Sequence, residues 1–325
     1  MEVVRSVTAL RASAVGTSDG SPQPRGAVTF GNFDGVHLGH RALITTLRSA
    51  AARSSGPAVV VTFDPHPLHT LAPDRAPPAI DTLDGRLDWL AKAGVDRTAV
   101  LRFDESMRDR SAHWFAENVL FACGPATVVA GYDASFGRGG GGDIDLLRGL
   151  GVDRGITVEG FDAVVAEGDV VSSSRIRALV SSGDIATAAR LLDRPFALRG
   201  PVVRGDALGR TIGFPTANID ASSQVRPANG VYAARLVVDG VGHDAVCNIG
   251  VRPTVSDGLQ WRTEAFIFDF DADIYGQHVS LQLIARLRGE RRFDGIDALK
   301  AQIARDCEAA RKVMAGVQAE DSSPR

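Results

Sequence analysis

The stretch Gly31-Asn32-Phe33-Asp34-Gly35-Val36-His37-Leu38-Gly39-His40 decides the fold of the first half of the chain. It places two histidines and three glycines after an apolar run, Ala27-Val28-Thr29-Phe30, and before Leu43, Ile44 and Leu47, which recur at helical spacing. We therefore predict a short buried strand, a glycine-rich turn and an amphipathic helix. Such a junction presents unpaired backbone N–H groups at the positive end of the helix, where phosphate binds favourably.

The two histidines of this junction are candidates for phosphate chemistry. His37 and His40 are three residues apart, so they share one face if both lie on the first helical turn. Their ring N–H groups would then stabilise negative charge that develops on a phosphate. One structural histidine, with glycines that only turn the chain, is the alternative that the spacing leaves open.

The length and composition indicate a globular protein of two domains. At 325 residues the chain is longer than a usual single core, and its 44% hydrophobic and 23% charged residues are ordinary values. A net charge of −3 gives no general electrostatic reason to expect a nucleic-acid partner. The N-terminus lacks the apolar core of a signal peptide and no run approaches a membrane span, so we expect a cytoplasmic protein with no membrane partner.

The cysteines Cys123, Cys247 and Cys307 are odd in number, far apart and not at metal-binding spacing. Free thiols in a reducing cytoplasm fit this pattern, and so do three small buried apolar side chains. Self-association is left open by the sequence.

The first half alternates strand and helix signals, which is typical of an α/β fold with a parallel sheet and covering helices. Ligands of such folds bind at the C-terminal edge of the sheet. Short apolar runs predict buried strands at Ala58–Phe63, Thr98–Leu101, Thr127–Ala130 and Thr157–Val165. Helical spacing predicts helices at Arg86–Ala93, Ala112–Phe121, Ser172–Leu179 and Ile185–Leu192. The glycine-rich run 137–142 predicts a flexible, disordered surface loop.

The second half is rich in strand signals. Its β-rich runs are Val202–Arg204, Val231–Val238, Ala245–Ile249, Ala265–Phe270 and Val279–Ala285. Asp239-Gly240 is a strong hairpin signal, and short strands with few helices predict an antiparallel barrel or a sandwich. An apolar stripe from Asp297 onward predicts one C-terminal helix, and the polar tail 318–325 is expected to fray. We expect the two domains to be residues 1–186 and 187–325.

A further histidine lies in Thr62-Phe63-Asp64-Pro65-His66-Pro67, which follows a predicted strand. Proline restricts its own φ and the residue before it, so His66 would be held in a stiff loop. Because that loop lies at the C-terminal edge of the sheet, it suits a small-molecule site. A rigid turn with an incidental histidine is the alternative.

The segment Val171-Ser172-Ser173-Ser174-Arg175-Ile176-Arg177 is a second phosphate-directed signal. Hydroxyl groups at a helix start cap the helix or donate to phosphate oxygens, and the arginines supply charge-assisted contacts. A serine cap followed by solvated arginines is the alternative. We expect this segment to meet the histidine junction at one edge of the sheet.

Together these segments resemble the nucleotidyltransferase superfamily. More narrowly, with Gly131-Tyr132-Asp133 and Phe136-Gly137, they resemble the adenylyltransferase half of the prokaryotic bifunctional riboflavin kinase/FAD synthetase family. The resemblance implies a Rossmann-like N-terminal domain in which His37 and His40 are catalytic. It implies ATP or phosphate contacts by Gly31, Phe33, Asp34, Gly39, Ser173, Ser174, Arg175 and Arg177, and flavin contacts by His66, Asp133 and Phe136. Two positions depart from the family pattern: Ser135 stands where a basic residue is usual, and Ser174 where threonine is commoner.

The second half contains the glycine-bearing loop Gly205-Asp206-Ala207-Leu208-Gly209-Arg210-Thr211-Ile212-Gly213-Phe214-Pro215-Thr216-Ala217-Asn218. Glycines let the backbone approach phosphates closely, and Thr216 and Asn218 offer neutral oxygens to a Mg²⁺ ion that binds nucleotide phosphate. The loop has no Walker motif, so phosphate binding here is of another kind. A loop-rich β-turn with an asparagine cap is the alternative.

This loop closely resembles the flavokinase signature, and three further blocks match that family in order: Asn229–Tyr232, Asn248–Thr254 and Asp269–Gly276. The resemblance implies a C-terminal antiparallel β-barrel with a C-terminal helix and assigns the general base to Glu264. It implies phosphate contacts by Gly205, Gly209 and Gly213 and metal contacts by Thr216 and Asn218. Arg252 is a further candidate for the flavin site. An arginine at this place would either contact phosphate or pair with an acid.

The two resemblances together imply a bifunctional transferase. Riboflavin is phosphorylated by ATP to FMN with release of ADP, and FMN is then adenylylated by ATP to FAD with release of pyrophosphate. Both steps require Mg²⁺, which offsets the charge of the nucleotide. The alternatives are a chain that keeps only the kinase activity and a binding protein that senses flavin or nucleotide.

Overall fold

The computed structural model describes residues 1–13, 25–205, 208–254 and 258–321. The chain forms two compact units: the first is Met1–Pro77 with Leu83–Ser172, and the second is Pro78–Thr82 with Ser173–Arg325. The short segment Pro78–Thr82 therefore leaves the first unit and joins the second. A domain boundary between residues 186 and 187 stays a prediction.

The first unit alternates strands with mostly short helices. Its strands are β1 (Glu2–Val4), β2 (Ala27–Phe30), β3 (Ala58–Phe63), β4 (Arg97–Leu101), β5 (Thr127–Gly131), β6 (Thr157–Phe161), β7 (Val165–Ala166) and β8 (Asp169–Val170). Its helices are α1 (Val7–Ala12), α2 (Leu38–Arg53), α3 (Leu68–Leu71), α4 (Leu83–Lys92), α5 (Glu105–Arg108), α6 (Ala112–Phe115) and α7 (Ile144–Val152).

Strands β1 to β6 form one parallel sheet in the order β1-β4-β3-β2-β5-β6, which confirms the predicted fold class. From β2 the chain moves outward through β3 and β4, and it then returns to the other side of β2 with β5 and β6. The carboxyl ends of β2 and β5 therefore border the point where the strand order reverses. Open α/β sheets bind ligands in the crevice at that point.

The sheet is covered on both faces. Val60 packs with Leu47 on the face covered by α2, whereas Val59 and Val61 pack with Phe115 on the opposite face. A parallel strand buried on both faces reads as a continuous apolar run, which is why the sequence predicts β3 at its full length. The predicted strand Thr157–Val165 is too long, because β6 ends at Phe161 and Val165 pairs with Val170 in a separate ribbon.

The glycine-rich run 137–142 is ordered, so the prediction of a disordered loop is wrong. Phe136 and Gly142 exchange backbone hydrogen bonds of 3.1 and 2.9 Å, and the N–H of Arg138 donates to the carbonyl of Arg110 at 2.7 Å. Gly137 has a φ of 75° and lies so close to Ala112 that a Cβ would collide with its backbone. The glycines therefore serve tight packing and left-handed backbone, and not flexibility.

The second unit contains two helices, a barrel with a short helix between its first two strands, and a long C-terminal helix. Its helices are α8 (Ser173–Ser182), α9 (Ile185–Leu192), α10 (Leu208–Thr211) and α11 (Ile296–Asp321). Its strands are β9 (Phe196–Val203), β10 (Ala217–Ile219), β11 (Gly230–Val238), β12 (Val241–Thr254), β13 (Gly258–Ile267) and β14 (His278–Arg288).

The six strands β9 to β14 close into an antiparallel barrel in the order β10-β13-β12-β11-β14-β9, so the barrel is confirmed over the sandwich. The predicted hairpin joins β11 to β12, with φ values of 47° at Asp239 and 80° at Gly240. The predicted C-terminal helix is α11, whose Ala310 and Met314 pack on the outside of the barrel. Of the tail predicted to fray, residues 318–321 belong to α11 and residues 322–325 lie outside the described residues.

The segment Pro78–Thr82 completes the second unit. Ala79 and Gln224 form a parallel bridge, and the Gln224 side-chain amide donates to the carbonyl of Ile80 at 3.0 Å. The Asp81 carboxylate lies 3.3 Å from Nε of Arg199 and 3.8 Å from Nη2 of Arg194. All of these are within the second unit, although the segment precedes α4 in the chain.

Candidate functional site

The histidine junction is the start of α2, and His37 is its N-cap. The Nδ1 atom of His37 accepts the backbone N–H of His40 at 3.4 Å, so the neutral ring carries its proton on Nε2. The His37 side chain is buried, at 5% exposure, and its ring stacks on that of His40 with centroids 3.7 Å apart. The predicted shared face is therefore present, as a stacked pair.

The turn before His37 is strained. Phe33, Gly35 and Val36 have φ values of 51°, 82° and 38°, and left-handed backbone is rare for phenylalanine and a true outlier for β-branched valine. Phe33 and Val36 are both almost fully buried, which holds them in this conformation, and the Phe33 ring lies 5.0 Å from the ring of His40. Strain of this kind clusters at functional sites, where the surrounding structure over-determines it.

The other predicted phosphate contacts of the junction are Gly31 and Asp34 before His37 and Gly39 in the first turn of α2. Asp34 is buried beside the strained residues. A Cβ on Gly39 would come within 3.2 Å of the His37 ring, so glycine keeps the helix start open for the stacked imidazoles. Gly31 continues from β2, and its N–H donates to the carbonyl of Val61 at 3.0 Å.

The His66 loop contacts the histidine junction through Asn32, which sequence reasoning did not single out. The Asn32 side-chain amide lies 3.0 Å from Nε2 of His66, and Nδ1 of His66 accepts the N–H of Leu68 at 3.2 Å. The Asn32 amide and the His66 ring therefore form one hydrogen bond between the two loops, whose direction is set by the tautomer of the ring. The loops after β2 and β3 are thus brought together at the C-terminal edge of the sheet.

The loop after β5 carries the other two predicted flavin contacts in different environments. Asp133 is exposed to solvent, next to the carboxyl end of the strand. Phe136 is buried, at 6% exposure, with its ring centroid 5.4 Å from that of Phe30 and 5.7 Å from that of Phe115. The Ser135 hydroxyl donates to the carbonyl of Gly140 at 3.4 Å. The flavin contacts of Asp133 and Phe136 stay predictions.

The serine–arginine segment starts α8, which confirms a helix at this place. Ser173, Ser174, Arg175 and Arg177 belong to the second compact unit, whereas the histidine junction belongs to the first. One donor of Arg177, its Nε, bonds the carbonyl of Pro78 at 2.9 Å. That these residues meet the histidine junction stays a prediction.

The barrel brings its predicted kinase residues together by strand register. Glu264 of β13 lies opposite Asn218 of β10 on one side and opposite Asn248 of β12 on the other. The Glu264 side chain is 34% exposed, and Oε1 lies 3.9 Å from Nη1 of Arg262. Asn248 was given no role by sequence reasoning. Asn248 lies two residues after Val246, which packs under α11, and residues two apart on a strand face the same side. That spacing was the signal that could have placed Asn248 on the outer face of the barrel.

The glycine-bearing loop lies against the side chains of Asn218 and Thr216. A Cβ on Gly205 would collide with the Asn218 side chain, and a Cβ on Gly209 would lie 3.4 Å from Oγ1 of Thr216. Gly213 has a φ of 90°, which only glycine adopts readily. The loop is fixed to the barrel by Phe214, whose ring lies 5.4 Å from that of Phe266. Gly205 therefore lies next to Asn218 and Gly209 next to Thr216, whereas their phosphate and metal contacts stay predictions.

Arg252 lies on β12, where its backbone pairs with Gln260 of β13. Its side chain lies outside the described part of the structure, so its contact with flavin, phosphate or an acid stays a prediction. No helix among the described residues is both long and apolar enough to cross a membrane.

Comparison with known proteins identifies relatives of both halves. The sequence profile of the FAD synthetase family matches residues 20–175, and that of the riboflavin kinase family matches residues 192–314. The bifunctional riboflavin kinase/FMN adenylyltransferase of Escherichia coli (strain K12) is 40% identical over 296 residues, which cover 90% of this chain and 94% of the relative.

Two further relatives cover almost the whole chain. The protein of the same name from Pseudomonas fluorescens is 37% identical over 97% of this chain and 98% of its own length. A crystal structure described as a macrolide-efflux protein from Streptococcus pneumoniae is 31% identical, with a TM-score of 0.83 over 96% of this chain and 99% of that one.

Proposed function

Because the chain belongs to the bifunctional riboflavin kinase/FMN adenylyltransferase family, we propose that the two sites described above carry out two successive ATP-dependent steps. The barrel phosphorylates riboflavin to FMN and releases ADP. The parallel-sheet unit adenylylates FMN to FAD and releases pyrophosphate. Cytoplasmic location, self-association and the lack of nucleic-acid or membrane partners stay predictions from the sequence.

The kinase step is supported by the register that sets Glu264 between Asn218 and Asn248. Phosphoryl transfer needs positioning, charge neutralisation and a group that accepts the hydroxyl proton. In our proposal the riboflavin 5′-hydroxyl oxygen attacks the γ-phosphorus of ATP, and the bond between that phosphorus and the ADP oxygen breaks. The proton of the hydroxyl group passes to the Glu264 carboxylate. The one-third exposure of that carboxylate leaves it accessible to a substrate hydroxyl.

The residues around Asn218 fit a Mg²⁺ ion. Thr216 and Asn218 offer neutral oxygens, and the lack of a Cβ at Gly205 and Gly209 lets the main chain of the loop lie close to both side chains. Among the described residues no group of three or more His, Cys, Asp or Glu side chains is placed to hold a metal. A site of neutral oxygens completed by nucleotide phosphate suits this ion, which offsets the charge of the phosphates.

The adenylylation step is supported by the geometry of the histidine junction. Because Nδ1 of His37 accepts the N–H of His40, the His37 Nε2–H group is a donor. In our proposal an FMN phosphate oxygen attacks the α-phosphorus of ATP, pyrophosphate leaves, and donors from His37 and His40 stabilise the charge that develops. Gly31, Phe33, Asp34 and Gly39 shape the turn that holds the phosphates, and His66 and Asp133 face flavin.

One assay tests both steps: riboflavin with Mg-ATP, followed by chromatographic separation of FMN and FAD. Turnover of riboflavin to FMN but not of FMN to FAD would show that the chain has only the kinase activity. Binding of either flavin without turnover would favour a sensing protein over an enzyme.

For the kinase step, Glu264→Gln is expected to lower kcat by about 10²- to 10⁴-fold while ATP binding is retained, because the amide cannot accept the proton. FAD formation from supplied FMN should continue at a near-normal rate. Asp269→Asn is the matched control, since it removes an exposed carboxylate of the same unit that pairs with Arg311. A Glu264→Gln protein with unchanged kcat and a raised KM for riboflavin would make Glu264 a binding residue.

For the adenylylation step, His37→Asn separates capping from chemistry. Asparagine is a good N-cap, so α2 should keep its start, while the ring donor is lost. We expect FAD formation to fall by roughly 10²-fold and FMN formation to be unchanged. His37→Ala should give the same loss with lower stability. Full FAD synthesis by His37→Asn would show that His37 only caps the helix.

A further inference from the structure

A buried arginine lies beneath the histidine junction. Arg86 of α4 is 7% exposed, and its Nη1 atom donates to the carbonyl of Asn32 at 2.8 Å and to the carbonyl of Phe63 at 3.1 Å. It also lies 3.3 Å from Oγ1 of Thr62, and its Nη2 lies 3.5 Å from Oδ1 of Asp64. One guanidinium thus contacts the ends of both β2 and β3.

The carbonyl of Asn32, which accepts from Arg86, lies at the start of the strained turn. The carbonyl of Asn32 receives a second hydrogen bond, of 3.0 Å, from the Thr62 hydroxyl. Asn32 is followed at once by the left-handed Phe33, whose ring lies against His40, and its side chain contacts Nε2 of His66. Because Arg86 fixes the main chain of Asn32, it also fixes the position of His40, through Phe33, and the position of His66, through the Asn32 side chain.

We propose that Arg86 is a positioning residue for adenylyl transfer, which holds the loops after β2 and β3 in the geometry that the stacked histidines and His66 require. This inference rests on the proposed adenylyltransferase function. Arg86 is 7% exposed and its Nη1 bonds the main-chain carbonyls of Asn32 and Phe63, so we assign it a positioning role and no contact with substrate. Its planar fork reaches two carbonyls and a carboxylate at once, which a single ammonium group matches less well.

The consequence is a loss in kcat rather than in binding. A displacement of about 1 Å at a reacting group costs about 10²-fold in rate even when the change lies outside the chemistry. Arg86→Met keeps the length and apolar stem of the side chain but removes every donor. We therefore expect FAD formation from FMN and Mg-ATP to lose about 10²-fold in kcat, with little change in KM for either substrate.

The full chain supplies two controls. Arg86→Lys keeps the charge and a donor to the Asn32 carbonyl, so it should recover much of the lost rate. Arg97→Met is the matched variant. Arg97 is a mostly buried arginine of the same compact unit, and its Nε bonds Glu2 at 2.6 Å, at the amino end of β4 and away from the junction. It should leave FAD formation unchanged, and none of the three variants should slow conversion of riboflavin to FMN.

A second readout does not depend on turnover. In NMR spectra of the full chain, the imidazole signals of His37, His40 and His66 should move in Arg86→Met and stay in place in Arg97→Met. Unmoved signals, an unchanged kcat, a rise in KM alone, or an equal loss of FMN and FAD formation would each overturn the proposal. If the unsubstituted chain makes no FAD, the proposed function fails, and the imidazole signals still decide whether Arg86 positions the histidines.

Discussion

His37 combines two tasks in one imidazole. Its Nδ1 atom caps α2, a position that serine, threonine, aspartate or asparagine more often occupies, and this bond leaves Nε2 as a donor. Capping thereby selects the tautomer that the proposed chemistry needs. A smaller cap would satisfy the helix equally well but would place no donor as far from the main chain as Nε2 of the imidazole.

Another single side chain makes the stability of the fold depend on pH. Burial raises the pKa of the Cys123 thiol to about 12 from 9.0, against the smaller opposing effect of Arg97. The unfolded chain loses this proton at lower pH than the folded chain does. The stabilisation is therefore complete below pH 9 and is lost as the pH rises towards 12.

We predict that Cys123→Ala flattens this alkaline loss, by at most about 1.4 kcal/mol per pH unit. Urea unfolding at several pH values between about 8 and 11 measures the slope. Cys307→Ala should flatten the loss by a similar slope over this range, because burial and the charge of Asp306 raise the pKa of that half-buried thiol to about 11. Identical slopes for Cys123→Ala and the unsubstituted chain would contradict the burial argument.

The candidate residues that could be found without the family resemblance are those that carry their own local signal. His37, His66 and Gly205 lie in glycine- or proline-rich segments next to apolar runs, so their chemistry and their place at a strand end are both readable. Arg86 and Asn248 have no such signal. Their roles come from partners on other elements, the Asn32 carbonyl for one and strand register with Glu264 for the other.

At the scale of elements, long apolar runs were predictable and short or charged elements were not. β3 is predicted at its full length, whereas β1 and β10 have three residues each and give no periodic signal. β10 nevertheless closes the barrel and carries Asn218, so its position depends on pairing with β9 and β13. Tertiary pairing, and not local propensity, defines such strands.

Helix α11 likewise has one attachment that the sequence predicts and one that it does not. Its apolar stripe predicts the contact of Met314 with the barrel, but its second attachment is ionic. Arg288 of β14 donates to the Asp306 carboxylate through Nε at 2.9 Å and through Nη2 at 2.7 Å, and the Gln302 amide donates to the same carboxylate at 2.8 Å. A bidentate pair of this kind fixes the rotation of the helix as well as its distance.

We predict that breaking this pair from either side loosens α11. Asp306→Asn or Arg288→Met should each lower the free energy of unfolding by on the order of 3 kcal/mol, because the remaining partner is left largely buried without its counter-charge. The double variant should lose less than the sum of the two. Urea unfolding of all four proteins gives the coupling energy, and additive losses would show that the pair contributes nothing of its own. The exposed pair Arg311–Asp269 is the control, and Asp269→Asn should change stability little.

At the scale of the whole molecule, the chain passes between its two compact units three times, after Pro77, after Thr82 and after Ser172. The sequence predicts one passage, because composition changes once, near the start of the barrel. The other two enclose Pro78–Thr82, whose bridge to Gln224 and ion pairs of Asp81 are long-range contacts with no local signal. A chain cut at a single boundary therefore loses a part of the barrel unit.

The last prediction concerns such a cut. A fragment of residues 173–325 keeps both helices and the six-stranded barrel, so it should fold and convert riboflavin to FMN without making FAD. It lacks Pro78–Thr82, and the Gln224 amide, only 2% exposed, then loses the carbonyl of Ile80 as an acceptor. The Gln224 nitrogen keeps its bond to the carbonyl of Ala197, and the net loss of one hydrogen bond costs about 0.5–1.5 kcal/mol, so the fragment should unfold at lower urea than the barrel of the full chain.

A peptide of residues 76–83, added in excess, should raise the unfolding midpoint of that fragment by mass action, because it binds the folded state alone. The same peptide with Asp81→Asn is the control and should act less, since it lacks the charge that faces Arg194 and Arg199. Fluorescence-detected urea unfolding at several peptide concentrations measures both. If neither peptide shifts the midpoint, and the fragment alone is as stable as the barrel of the full chain, then Pro78–Thr82 rests on the barrel without stabilising it. The barrel would in that case be independent of everything before Ser173.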